Sequence, residues 1–156
     1  MKRLLILLLA VVVLAPSQGI AASSTHVTGG GRGTVDGATA FSQFGFGVSI
    51  APGGSAQGHF NCLMAGSSVF PGFEPLMKVD GRVSSGSASA GTAVFFGSGT
   101  LNLGPSGKFP ADFSVVVTEG GPGTGTLTLT VLSPRLGSAP VTLPIETVMH
   151  GGITID

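Results

Sequence analysis

Apolar side chains recur at every second position along most of this chain. From Phe44, the order Phe44, Phe46, Val48, Ile50 alternates with Gly45, Gly47 and Ser49, which is the period of a strand with one face buried and the other in water. Phe109, Ala111, Phe113, Val115 and Val117 repeat it, as do Leu127, Leu129 and Val131 between Thr126, Thr128 and Thr130. The β-branched threonines suit a pleated, solvent-facing surface. No window carries a helical period, and the pattern predicts an all-β chain.

Glycine and proline divide these runs at Pro52-Gly53-Gly54, Asp80-Gly81, Gly104-Pro105-Ser106-Gly107 and the stretch from Glu119 to Gly125. Glycine supplies positive φ and proline presets a turn, so each break has a mechanism. Strands are expected near residues 25–29, 40–50, 56–64, 76–84, 91–103, 108–118, 125–132 and 146–155. Pro134, Pro140 and Pro144 forbid central-strand pairing between the last two, which makes 133–144 an irregular excursion. About eight strands joined mostly by hairpins form an antiparallel meander, closed as a small barrel or packed as a two-sheet sandwich. Gly45, Gly47, Gly58, Gly97 and Gly99 lie within strands and permit tight coiling, which favours the barrel. Phe44, Phe46, Phe95, Phe109 and Phe113 are expected to fill its lumen.

Lys2 and Arg3, the apolar run Leu4 to Leu14 and the small residues around Ala21 have the three parts of a secretory leader. Residues 1–21 are therefore expected to be a signal peptide and 22–156 a single all-β domain, secreted or periplasmic. The apolar run is too short for a bilayer anchor and no lipidation cysteine follows it, so no membrane anchor is expected. Without Lys2 and Arg3, five basic residues face seven acidic ones. Arg32, Lys78, Arg82, Lys108 and Arg135 stand singly, and nucleic acid, which demands clustered cations, is excluded as a partner.

In order, Gly29-Gly30-Gly31, Phe44-Gly45-Phe46, Gly58-His59-Phe60-Asn61, Phe96-Gly97-Ser98-Gly99-Thr100, Gly120-Gly121-Pro122-Gly123 and Gly151-Gly152-Ile153-Thr154-Ile155 span nearly the whole chain after the leader. This succession resembles the post-COAP family of bacterial secreted β domains. The resemblance implies an extracellular all-β module, often attached to other exported proteins and without an established catalytic mechanism. Two positions depart from the family pattern: Cys62 stands where an aromatic residue usually follows, and the turn from Glu119 to Thr126 lacks a second acidic residue.

Chemistry-bearing residues are sparse. Cys62 is the single cysteine, so no intramolecular disulfide forms. It shares strand parity with Phe60 and Met64, as a buried thiol would, while His59 at odd separation falls on the opposite face. A disulfide-linked dimer through Cys62 is the alternative. His26, His59 and His150 form no close-spaced ligand pair; pairing of the first and last strands is the one route that brings His26 near His150. Gly97-Ser98-Gly99 imitates a nucleophile elbow but lies in an extended run. Asp36, Glu74, Asp80, Asp112, Glu119, Glu146 and Asp156 read as turn formers and solubilising charges, none within an apolar strand face. The chain has neither Trp nor Tyr to make a sugar platform. Gly29 to Gly33 lacks the following Lys-Ser or helix start of a phosphate cradle.

No catalytic residue, cofactor or metal is expected, and the chain does not read as an enzyme. Val69, Phe70 and Phe73 occupy a predicted loop, where they either plug one end of the barrel or meet a partner or ligand. The sequence points to an exported non-catalytic β module that binds an extracytoplasmic protein or envelope component. The alternative is a small barrel with an apolar ligand in its mouth.

Overall fold

A computed structural model describes residues 23–64 and 77–156. The leader and the candidate loop residues Val69, Phe70 and Phe73 lie outside the described residues. The strands are β1 Thr25–Thr34, β2 Ala40–Ile50, β3 Ser55–Met64, β4 Met77–Ser89, β5 Thr92–Asn102, β6 Lys108–Thr118, β7 Thr126–Leu132, β8 Val141–Thr142 and β9 Glu146–Ile155. The first seven pair antiparallel in chain order, β7 also pairs with β9, and β9 pairs with β1. Eight strands thus close a ring, which makes the fold a barrel rather than a sandwich. The two-residue β8 is an addition on β7, with Val141 opposite Val131 and Thr142 opposite Thr130.

The expected alternation decides which face is inside. Phe44, Phe46, Val48 and Ile50 of β2, Phe60, Cys62 and Met64 of β3, and Phe113, Val115 and Val117 of β6 are all buried. The rings of Phe44, Phe46, Phe60, Phe95 and Phe113 form one chain of contacts, with centroids 5.3–6.4 Å apart. Phe60 replaces Phe109 in the expected lumen set: Phe109 is only half-buried and packs at the core's margin, with the Arg135 guanidinium 5.7 Å from its ring centre.

Two expected elements change shape. The first strand runs on through its glycines to Thr34, because Gly30 pairs with Gly45 on one side and Gly152 on the other. Asp80-Gly81 is not a turn but the middle of β4, with Asp80 opposite Asn61 and Thr100. Glycine stands there for space: a Cβ on Gly81 would come within 2.7 Å of the Phe113 ring. The hairpin turn falls instead at Ala90-Gly91, both at positive φ (49° and 74°) between the paired Ser89 and Thr92. That is the two-residue geometry whose twist matches the flanking strands.

The β1–β2 turn is organised by Asp36, whose Oδ1 accepts from the Thr39 and Ala38 amides and from the Thr34 hydroxyl. These donors, the Thr39 amide foremost, hold its carboxyl well below the usual carboxylate range. The stretch from Glu119 to Gly125 is a loop, as expected, and it folds back on β9 through Gly120–Ile153 and Gly125–Val148 backbone bonds.

Phe46→Ala and Phe113→Ala are each expected to cost about 3–5 kcal/mol in denaturant melts, since both rings stand in the central aromatic chain. In the opposite direction, Ala90→Asn is expected to add about 0.5–1 kcal/mol, because asparagine tolerates the left-handed backbone that alanine resists.

Candidate functional site

Among the described residues, two places in the barrel depart from the plain arrangement of apolar residues inside and small polar residues outside. The first is internal. Glu146 opens β9, and its alternation with Val148 sends the side chain inward, where it is 1% exposed. Ser42 of β2 donates a hydrogen bond to Glu146 Oε2, while Oε1 is buried with no hydrogen-bond partner. Room for the carboxyl comes from Gly33 of β1, where any Cβ would overlap Oε2. Burial pushes the carboxyl up from 4.5 to about 7, and the Ser42 hydroxyl opposes that rise. Cys62 is fully buried, and its thiol is pushed up by burial and then by the charge of Glu146.

This corrects the expectation that no carboxylate sits within an apolar strand face. Glu146 stands at a strand start close to Pro144, which reads as a solubilising position. The signal that reveals it is joint: Val148 continues the same parity inward, and a glycine faces the carboxyl from a strand more than a hundred residues away.

The second place is external. Ser98, Asp112 and Leu132 are register partners across β5, β6 and β7, so their side chains share the outer face. The excursion after β7 rises over them. It is tied down by Ser133, which donates to the Pro110 carbonyl at 2.8 Å, and by the Leu143 amide, which donates to the Leu129 carbonyl at 2.9 Å. Between wall and excursion runs a groove of about 950 Å³, lined by Ser98, Gly99, Pro110, Asp112, Leu132 and Pro134. It continues into a shallower depression of about 380 Å³ beside Phe96, Ser114 and Pro140. Phe96, Val116 and Leu132 stand 47%, 40% and 39% exposed on this same wall.

The remaining candidates stay apart. β1 and β9 do pair, but His26 bonds to Asp156 at one end while His150 lies opposite Arg32, about 20 Å of strand away. His59 points outward to Asp80, whose other oxygen holds Lys78 at 2.7 Å. Lys78 holds the Asp80 carboxyl below its usual range, with His59 adding to the effect. Cys62 faces the core from the opposite side of the strand to His59. Among the described residues no three His, Cys, Asp or Glu side chains are grouped to hold a metal ion. Ser98 lies within β5, paired to Arg82 and Asp112. Among the described residues no helix is long and apolar enough to cross a membrane.

Comparison with protein-family models, curated proteins and solved structures finds no match to this chain.

The Glu146 carboxyl makes stability depend on pH. Below about 4.5 the folded and unfolded chains both hold its proton; between about 4.5 and about 7 the unfolded chain releases it and the folded chain keeps it. Stability therefore falls as pH rises across that window, by roughly 3 kcal/mol, and levels off above it. Urea melts from pH 4 to pH 8 should show this slope in the wild-type chain, and Glu146→Gln should remove it.

Proposed function

We propose that this chain is an exported, non-catalytic β module that works by binding a partner protein along the outer wall of β5, β6 and β7. The observation that carries the reading is the division of space. Five phenylalanine rings occupy the middle of the barrel, whereas the 950 Å³ groove and three exposed apolar side chains lie outside it. The succession of glycine motifs that resembles the post-COAP domains belongs to the same proposal, as does export by the residue 1–21 leader.

The chemistry of the wall favours a protein over a polysaccharide. Phe96, Val116 and Leu132 offer apolar contact with no aromatic tip that donates a hydrogen bond, and the chain contains no Trp or Tyr. The wall also differs from a lipid-facing one. Ser98, Ser114 and Thr130 alternate on the outside with Phe113, Leu129 and Val131 within, the reverse of a transmembrane barrel.

A double variant Phe96→Ser and Leu132→Asp tests the proposal. Both positions are exposed, so the melt is expected to move by no more than about 0.5 kcal/mol per site. Binding to exported proteins of the host, read by cross-linking and mass spectrometry, is expected to fall at least about tenfold, which is about 1.4 kcal/mol. Undiminished cross-links in the variant would remove the wall from the binding surface, and transfer of the loss to envelope polymer would identify that component instead. A native mass spectrum of the secreted chain with a stoichiometric apolar adduct would replace this reading by the ligand-holding barrel.

A further inference from the structure

We infer that the barrel carries a proton-operated gate at its closing seam, in which protonated Glu146 keeps the start of β9 docked on β7 and loss of the proton releases residues 146–148. The seam is where the ring is most thinly closed. β7 and β9 share two register pairs, Thr126 with Thr147 and Leu127 with Glu146, and beyond them the loop 119–125 bonds β9 through Gly123 and Gly125 with Val148 and through Gly120 with Ile153. By contrast, β5 and β6 are paired along their whole length.

Glu146 is itself a member of one of those two pairs, and its carboxyl is inside. As a neutral acid it needs little more than the Ser42 contact. As a carboxylate it has, among the described residues, one donor for Oε2 and none for Oε1, with apolar Leu127 opposite it and Val148 next on its face. A buried charge with a single donor is costly, and the route to water is movement of its own backbone away from β7. The segment just before it permits this: Pro144 has no amide to donate, and Ile145 is 63% exposed.

Among the described residues the ionisable group facing Glu146 is the Cys62 thiol of β3, which burial and Glu146 itself keep neutral through the same range. Gly33 faces it from β1, Ser42 from β2 and Leu127 from β7, and none of these titrates. Among the described residues the gate thus has one group that titrates in this range.

Hydrogen exchange on the whole secreted chain, followed by mass spectrometry at pH 5, 6, 7 and 8 and corrected for intrinsic rates, tests it. Protection of segments 125–128 and 146–148 is expected to fall on the order of a hundredfold from pH 5 to pH 8, to stay below that of β4 and β5 at every pH, and to depend little on added urea, as a local opening does. In Glu146→Gln seam protection should stay flat with pH. Ser42→Ala, which strips the carboxylate of its donor, should deepen the fall at pH 8 and serves if the glutamine variant does not fold. Seam protection that is constant with pH in the wild-type chain would overturn the gate, as would a fall of the same size in Glu146→Gln. So would seam protection equal to that of β4 and β5 and equally lowered by urea, since the seam would then open only by global unfolding.

Discussion

Phenylalanine rings packed into glycine positions hold this barrel together. A lumen ringed by eight strands is narrow, and filling it with large side chains from every wall would overpack it. Here a ring from one wall meets a bare backbone on another. The Phe46 ring lies where a Cβ on Gly29 would be, and Phe113 approaches both Gly81 and Gly97, whose Cβ atoms would stand 2.7 and 2.6 Å from it. The glycines cost chain entropy in strands, and the aromatic burial they admit offsets that cost with several kcal/mol per ring. Pairing register and ring position are thereby coupled: a one-residue slip of β5 would carry Gly97 out of the lumen and drive Phe96 into it.

The same device, a glycine opposite a large inward group, admits something quite different at the seam. Gly33 makes room for a carboxyl rather than a ring. A hydrophobic residue of the same volume would satisfy the packing without an orphaned oxygen, so stability alone does not account for Glu146. Its cost appears only when the proton leaves. That places a pH-dependent element at the junction where the last strand completes the ring, and nowhere along the long, fully paired walls.

Alternation made most of the barrel readable in advance, because parity is a local property. Phe113, Val115 and Val117 declare an inward face without reference to any other strand. Glycine has no such parity, which is why β1 reads as five residues when it runs from Thr25 to Thr34 and why Asp80-Gly81 resembles a turn when it is mid-strand. Partners on other strands decided both: Gly45 and Gly152 pair with Gly30 and carry β1 on, and the Phe113 ring takes the space at Gly81. Glu146 was hidden for the same reason. Its local neighbours, Pro144 and Ile145, describe a loop edge, while Ser42 and Gly33, which decide its surroundings, lie in the first two strands. The outer groove was half legible: the prolines marked the excursion, but not that Ser133 and Leu143 would fasten it over the β5–β7 wall.

Closure also restricts how such a module can associate. A sheet with open edges recruits partners by strand addition, through unpaired backbone donors and acceptors. In this ring β1 to β7 and β9 pair on both sides, and the edge left beside β7 is occupied by β8 and by the first residues of β9. Association therefore falls to side chains on the walls. Most of those are Ser, Thr and Gly, which contribute little apolar area; the β5–β7 wall is the place where Phe96, Val116 and Leu132 gather beside a concavity. The excursion that forms one side of that concavity leads directly, through Leu143 and Pro144, into Glu146. A partner seated against the excursion and a proton on the carboxyl thus act on one continuous segment of chain, which couples the two by linkage whenever occupancy of the groove shifts the docking of β9.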